Sequence, residues 1–308
     1  MFDKKKQLCY HIELERRGIM ITKKELGFVT LWASKVPYPG LEYATESLEK
    51  LKETIEFYNK FYNNKQYELI LSNGEELSFE ILNKNLCHLL GVDYKNLTSD
   101  YFEDYRYDVL KLDRIPKSYE LLQSIIDNID DVLKYDYDNK GKTMNYYRIM
   151  VKCAIFEKLS DFSRFNFGVI NFDKDKYIES SNNQFSCNST KFLYGESGEM
   201  GAPYFMMGIL KDNGSTYDNN DIYVAETLLA PHNVKDFFNN QEVCIPTQIL
   251  ITTDEKMEKV LATPEEKIAL LNQYRGIIKN HNIPNCINIF GDYENILSEQ
   301  ANVKRKIK

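Results

Sequence analysis

Residues 67–94, YELILSNGEELSFEILNKNLCHLLGVDY, decide how this chain is read. Tyr67 to Leu71 and Leu77 to Leu82 are apolar or β-branched runs with partial alternation, and Ser72-Asn73-Gly74-Glu75 between them is turn chemistry. Asn-Gly tolerates the positive φ angles of a tight primed turn, so the stretch opens with an expected β-hairpin. After Leu82 the period changes from two to that of a helix. Asn83 or Asn85 can cap its start, Leu86, Leu89 and Leu90 fall on one face, and Gly91 can end it. His88 lies two residues from Leu86 and from Leu90, which turns it away from the leucine stripe, toward water or a cleft.

Working outward, Pro37-Tyr38-Pro39-Gly40 breaks regular structure and marks a boundary after strand candidates at Gly18 to Thr22 and Phe28 to Ala33. Thr45 to Tyr62 is helical, with Leu48, Leu51, Ile55, Tyr58 and Tyr62 on one stripe. Downstream, the acidic, tyrosine-rich Ser99 to Asp108 is a loop or irregular helix. Ile115-Pro116-Lys117-Ser118 opens an amphipathic helix to Tyr135, and a third helix spans Met144 to Leu159. Arg148 and Lys152, four apart on that helix, share a polar face.

Past Phe162 the pattern turns to strands: Phe167 to Phe172, Lys191 to Tyr194, a hairpin of Tyr204 to Lys211 and Ile222 to Leu229 around Asp212-Asn213-Gly214, and Glu242 to Thr252. Their close spacing predicts one antiparallel sheet. Thr263-Pro264-Glu265-Glu266 starts another helix, Cys286 to Phe290 is a last strand candidate, and Lys304 to Lys308 form a basic tail. The expected fold class is α+β, with an N-terminal extension at 1–44, a core at 45–255 and a C-terminal helical appendage at 256–308.

A net charge of -7 and a pI near 5.4 exclude attachment to nucleic acid through a broad basic surface; a polyanion would need a local cationic patch. The six cysteines form no CxxC pair, and no signal peptide is expected ahead of them. They are expected to be reduced thiols of a cytoplasmic protein, not a disulfide frame or zinc site. No apolar run reaches the length of a membrane span. No cofactor or metal is expected: Gly195 to Gly201 lacks the Lys-Ser/Thr of a phosphate loop, and His11, His232 and His281 lack partners at metal-ligand spacing.

Three segments, Ser72-Asn73-Gly74, His88-Leu89-Leu90-Gly91 and Tyr223-Val224-Ala225-Glu226-Thr227, occur in an order that resembles a phage-associated family of nucleases. That family is assigned to the Barnase-EndoU-Colicin-RelE (BECR) superfold, and the resemblance covers roughly residues 48–252. Ala225 stands where the family has proline, and Leu228 where it has an aromatic residue. The resemblance implies a twisted antiparallel sheet with helices packed on one face and a metal-independent ribonuclease site on the open face, in a toxin or an effector of virus–host conflict.

Metal-free RNA cleavage needs a base for the 2′-hydroxyl proton, an acid for the leaving oxygen, and cations or donors around the phosphorane. His88 is the expected acid or base, because imidazole titrates near working pH. Lys191 and Thr227 complete the expected catalytic set, and Arg148, Lys152 and Lys211 are the expected substrate-binding cations. Thr227 and Glu226 are neighbours on a strand, so only one of them should look into the cleft. The competing expectation is a non-enzymatic protein that inhibits a host defence complex, docking through the acidic residues at 99–108 and 127–138. RNA, or a host or phage protein, is the expected partner.

Overall fold

A computed structural model describes residues 39–139, 143–159, 165–181, 187–199, 202–217, 220–231, 234–254 and 256–290. The two N-terminal strand candidates, His11, His232 and the basic tail lie outside them. The central stretch forms its hairpin: β1 (Gln66–Leu71) and β2 (Glu76–Glu80) pair antiparallel, with Leu69 opposite Leu77. Gly74, and not Asn73, takes a positive φ (84°), and its N–H donates to Leu71 O at 2.9 Å. The connection is therefore a four-residue loop with glycine in its left-handed position, not a two-residue primed turn.

Eight further strands follow: β3 (Phe167–Asn171), β4 (Lys191–Glu199), β5 (Ala202–Tyr217), β6 (Asn220–Leu229), β7 (Glu242–Cys244), β8 (Pro246–Thr252), β9 (Met257–Leu261) and β10 (Ile287–Ile289). All ten join one sheet in the order β10-β7-β3-β4-β5-β6-β2-β1-β8-β9. β7 and β8 are interrupted only at Ile245, yet one pairs with β3 and the other with β1. The sheet therefore curls back on itself, and Ser72 seals the seam, donating its N–H to Ile245 O and accepting from Ile245 N at Oγ.

Several expectations are corrected here. The sheet is mixed, since β2 pairs with β6 and β7 with β10 in parallel. Asp212-Asn213-Gly214 lies inside β5, where the register shifts, and is not the hairpin turn. Beyond residue 256 the chain supplies β9 and β10 to the same sheet as well as a helix.

The helices are α1 (Leu41–Phe61), α2 (Leu86–Leu89), α3 (Tyr94–Leu97), α4 (Ser118–Asp127), α5 (Ile129–Asp138), α6 (Tyr146–Lys158), α7 (Lys174–Ser181), α8 (Val234–Phe238) and α9 (Pro264–His281). The single helix expected from 118 to 135 is two. It breaks at Asn128, whose Nδ2 donates back to Ser124 O at 2.9 Å, a side-chain bond that competes with the backbone ladder. Helices also cover both faces of the sheet, not one. Register places Phe79, Tyr223, Ala225, Ile209 and Lys191 on one face, where Tyr67 stacks on Phe79 and meets Tyr62 of the α1 end. Phe192 and Tyr194 point the other way, onto Phe237 and Phe238 of α8.

One buried charge has a measurable consequence. Asp136 is wholly buried on α5, accepting from Tyr146 Oη at 2.5 Å. Burial pushes its pKa up to about 6, against the pull of the Tyr146 bond and the Thr143 backbone. Because the folded-state value is raised, the native state is favoured by this group below about pH 4, and that advantage is lost as pH rises through about 6. Asp136→Asn keeps an acceptor for Tyr146 and is expected to stabilise the protein by roughly 2 kcal/mol at pH 8, the two-unit shift converted at 1.36 kcal/mol per unit and discounted for the altered bonds. The gain should fade toward pH 4 in urea melts.

Candidate functional site

α2 owes its place to its flanks. Leu86, Leu89 and Leu90 are fully buried, and Ser118 holds Cys87 through its Oγ and carbonyl. β2 leaves β6 after Glu80, which frees the Ala225 carbonyl. Asn85, instead of capping the helix, donates Nδ2 to that oxygen at 2.7 Å and so ties α2 to the edge of β6. Gly91 ends the helix with φ 86°: its N–H returns to His88 O at 3.3 Å and that of Val92 to Cys87 O at 2.8 Å, a Schellman closure. A Cβ at Gly91 would sit 2.9 Å from Arg148 O, so glycine is also what lets α6 come this close.

His88 is exposed, as the leucine spacing predicts. From 64 positions downstream, Lys152 donates Nζ to the His88 carbonyl at 2.9 Å, and Arg148 donates Nε to Gly91 O at 2.7 Å. Both cations lie at a helix C-terminus, where the backbone dipole favours them. Lys152, expected as a substrate-binding cation on a polar face, is only 5 % exposed, its amine turned to the turn's backbone and not to solvent. Burial, with Arg148 beside it, pulls the Lys152 pKa down to about 7.

The imidazole responds to this setting. Desolvation and then the charges of Lys152 and Arg148 pull the His88 pKa down to about 4, while Glu226 and Asp93 push it up. A ring open to water keeps part of its hydration, so the two cations are the cause that its exposure leaves intact. At neutral pH the ring is neutral.

Glu226 is the residue that strand logic misplaces. Gly208 pairs with Thr227 and Ile209 with Ala225, which leaves Glu226 as a β-bulge. A bulge re-aims its side chain. Glu226 therefore shares a neighbourhood with Thr227 instead of facing away from it: Ser189 Oγ donates to Glu226 Oε2 at 2.6 Å, and both Ser189 Oγ and Thr227 Cγ2 lie within 3 Å of where a Gly208 Cβ would be. Val224-Ala225-Glu226-Thr227 contains no glycine or other residue that announces a bulge, so no sequence signal marked this carboxylate as one whose charge acts on His88. Thr227 itself is 7 % exposed, its methyl against Gly208.

The other two lysines go elsewhere. Lys191 lies on the opposite sheet face from Thr227 by register, with Nζ 2.6 Å from Glu75 and from Asn171 Oδ1 and set over the Tyr223 ring. Burial opposes the Glu75 charge, but the Lys191 pair, with Asn171 and Asn73, holds that carboxyl below its ordinary range. Glu242 joins the cluster through Asn171 and Asn73, so the β1–β2 loop is latched to β3 and β7. Lys191→Met, which strands these carboxylates, is expected to lower stability by roughly 1 kcal/mol in urea unfolding, a modest figure because Glu75 keeps contact with water. Lys211 forms an exposed pair with Asp221 at 2.6 Å.

A hollow of about 430 Å³ lies at another place, lined among others by Asn63, Lys65, Glu80, Thr252 and Asp254, and none of the expected site residues borders it. Among the described residues no group of three or more His, Cys, Asp or Glu side chains could hold a metal ion, and no helix is long and apolar enough to cross a membrane. No protein-family model, curated protein or solved structure matches the chain.

Proposed function

We propose that the His88 site cleaves RNA by metal-independent transesterification. One observation carries this reading: two cations from α6 converge on the turn that bears an exposed imidazole, and neither forms an ion pair among the described residues. Positive charge from Arg148, answered by no direct ion pair and only by the nearby Asp93 charge, with a partly protonated Lys152 behind it, stands beside a proton acceptor and suits an incoming phosphodiester. Neutral His88 takes the 2′-hydroxyl proton, the 2′-oxygen bonds to phosphorus, and the bond to the 5′-oxygen breaks. The leaving oxygen takes a proton from water, and the products are a 2′,3′-cyclic phosphate and a 5′-hydroxyl. The Arg148 guanidinium holds the phosphoryl oxygens, Lys152 adds positive charge beneath, and Glu226 steadies the imidazolium as it forms. The resemblance of the short segments at 72–74, 88–91 and 223–227 to those of BECR-type nucleases points to the same chemistry, and such an activity in a host cell would be that of a toxin or effector.

The test is incubation of the purified protein with a mixed RNA pool and a matched DNA in EDTA. Cyclic-phosphate ends on RNA, with intact DNA, are expected. Uncut RNA would sink the proposal in favour of a binding role. That second reading has its own observation: Tyr101 (79 % exposed) and Tyr137 (64 %) stand among the acidic residues of 100–138, a surface suited to a basic partner.

A further inference from the structure

Glu226 is half-buried and held by more donors than its place on a strand requires. Besides Ser189 Oγ, the Cys187 thiol donates to Oε2 at 3.2 Å and the Asn188 N–H reaches Oε1 at 3.4 Å, so three consecutive residues before β4 cradle it. Ser189 is only 4 % exposed and reaches the bulge because the facing strand carries Gly208, where a Cβ would lie 2.3 Å from the serine oxygen. The missing side chain on β5, the buried hydroxyl and the bulge on β6 make one device. Asn85, at the start of the His88 helix, binds the carbonyl of Ala225, the residue before Glu226, so the bulge lies against the turn that carries the imidazole. We propose that Ser189 is a positioning residue that fixes the Glu226 carboxylate at this junction, on the His88 side, with Gly208 providing the space for its hydroxyl. This rests on the ribonuclease reading above for its catalytic consequence, while the positioning itself can be measured without activity.

A buried hydroxyl that serves only packing would be replaced by alanine with little effect on the imidazole. A hydroxyl that aims a carboxylate at the imidazole alters the ring's titration when it is lost. The experiment follows the His88 ring signals by NMR from pH 7 down to the acid limit of the fold in wild type, Glu226→Gln, Ser189→Ala and Gly208→Ala. Glu226→Gln should lower the His88 midpoint, since it removes a charge that favours the imidazolium. Ser189→Ala and Gly208→Ala should shift it in the same direction, by at least half of that change. An unmoved midpoint in folded Ser189→Ala overturns the proposal, and Gly208→Ala, which keeps the hydroxyl but displaces it, decides the matter should the first variant not fold. In RNA cleavage, Ser189→Ala is expected to lower kcat about tenfold with KM within threefold, and Ser189→Thr to restore most of it. Wild type that cuts no RNA would end the nuclease reading, and the titration would still decide whether Ser189 aims Glu226.

Discussion

His88→Ala is expected to slow RNA cleavage by roughly a hundred- to ten-thousand-fold, the range attributed to a positioned general base. The loss should fall on kcat, because Arg148, which would hold the phosphate, and Lys152 behind it are anchored by backbone carbonyls and not by the ring. Stability should change by no more than about 0.5 kcal/mol, since the side chain is exposed. The wild-type pH profile provides a second check. With its pKa pulled down to about 4, chiefly by the surrounding protein and the two cations, the imidazole remains a base far below the ordinary histidine range. Activity should persist to about pH 5 and fall only as pH drops through about 4. An acid limb centred at 6.5 would mean that the cations do not act on the ring. Unchanged cleavage by the variant would remove His88 from the chemistry altogether.

Gly91→Ala should be the most destabilising small change in the site, by roughly 3 kcal/mol. Two costs combine. The φ of 86° is a left-handed conformation that strains an L side chain, at about 1–3 kcal/mol. The new methyl would also meet the Arg148 backbone at 2.9 and 3.0 Å, closer than real Cβ contacts, so α6 or the turn must shift. Such a shift breaks the bonds from Arg148 and Lys152 to the 88–91 turn, so cleavage should fall together with stability. For a chain of this length the melting temperature should drop by about 5 °C. A melting curve within 2 °C of wild type would show that the turn tolerates a side chain and that the close approach of α6 is not needed.

The hairpin and the histidine turn were legible because they depend on local rules. Alternation, a glycine suited to the left-handed position of the loop, the leucine spacing and a glycine able to end a helix act within a few residues, and β1, β2, α2 and the exposure of His88 follow from them, though the loop is four residues long and not the tight Asn-Gly turn expected. The pairing of Arg148 with Lys152 was legible as well, since residues four apart on a helix share a face. What lay beyond reach was where that face points. α6 is buried on most sides, and only the packed α1, β4 and β6 decide that its cations meet the turn at 88–91 and not water.

Glu226 and Lys191 show the same division. Period-two reasoning separates Glu226 from Thr227, but a one-residue bulge, set by how β5 and β6 register around Gly208, returns the carboxylate to the site. Lys191 reads as a cleft cation, but the curl of the sheet brings the β1–β2 loop across to it and Glu75 claims its charge. The sequence by itself determined the β1–β2 hairpin, the long helices α1, α6 and α9, the turn that carries the imidazole and the acidic balance of the chain, because each depends on composition or on neighbours within one or two turns of backbone. Only the tertiary structure decided which charges stand beside that imidazole, because strand register and sheet curvature are properties of many distant contacts acting together.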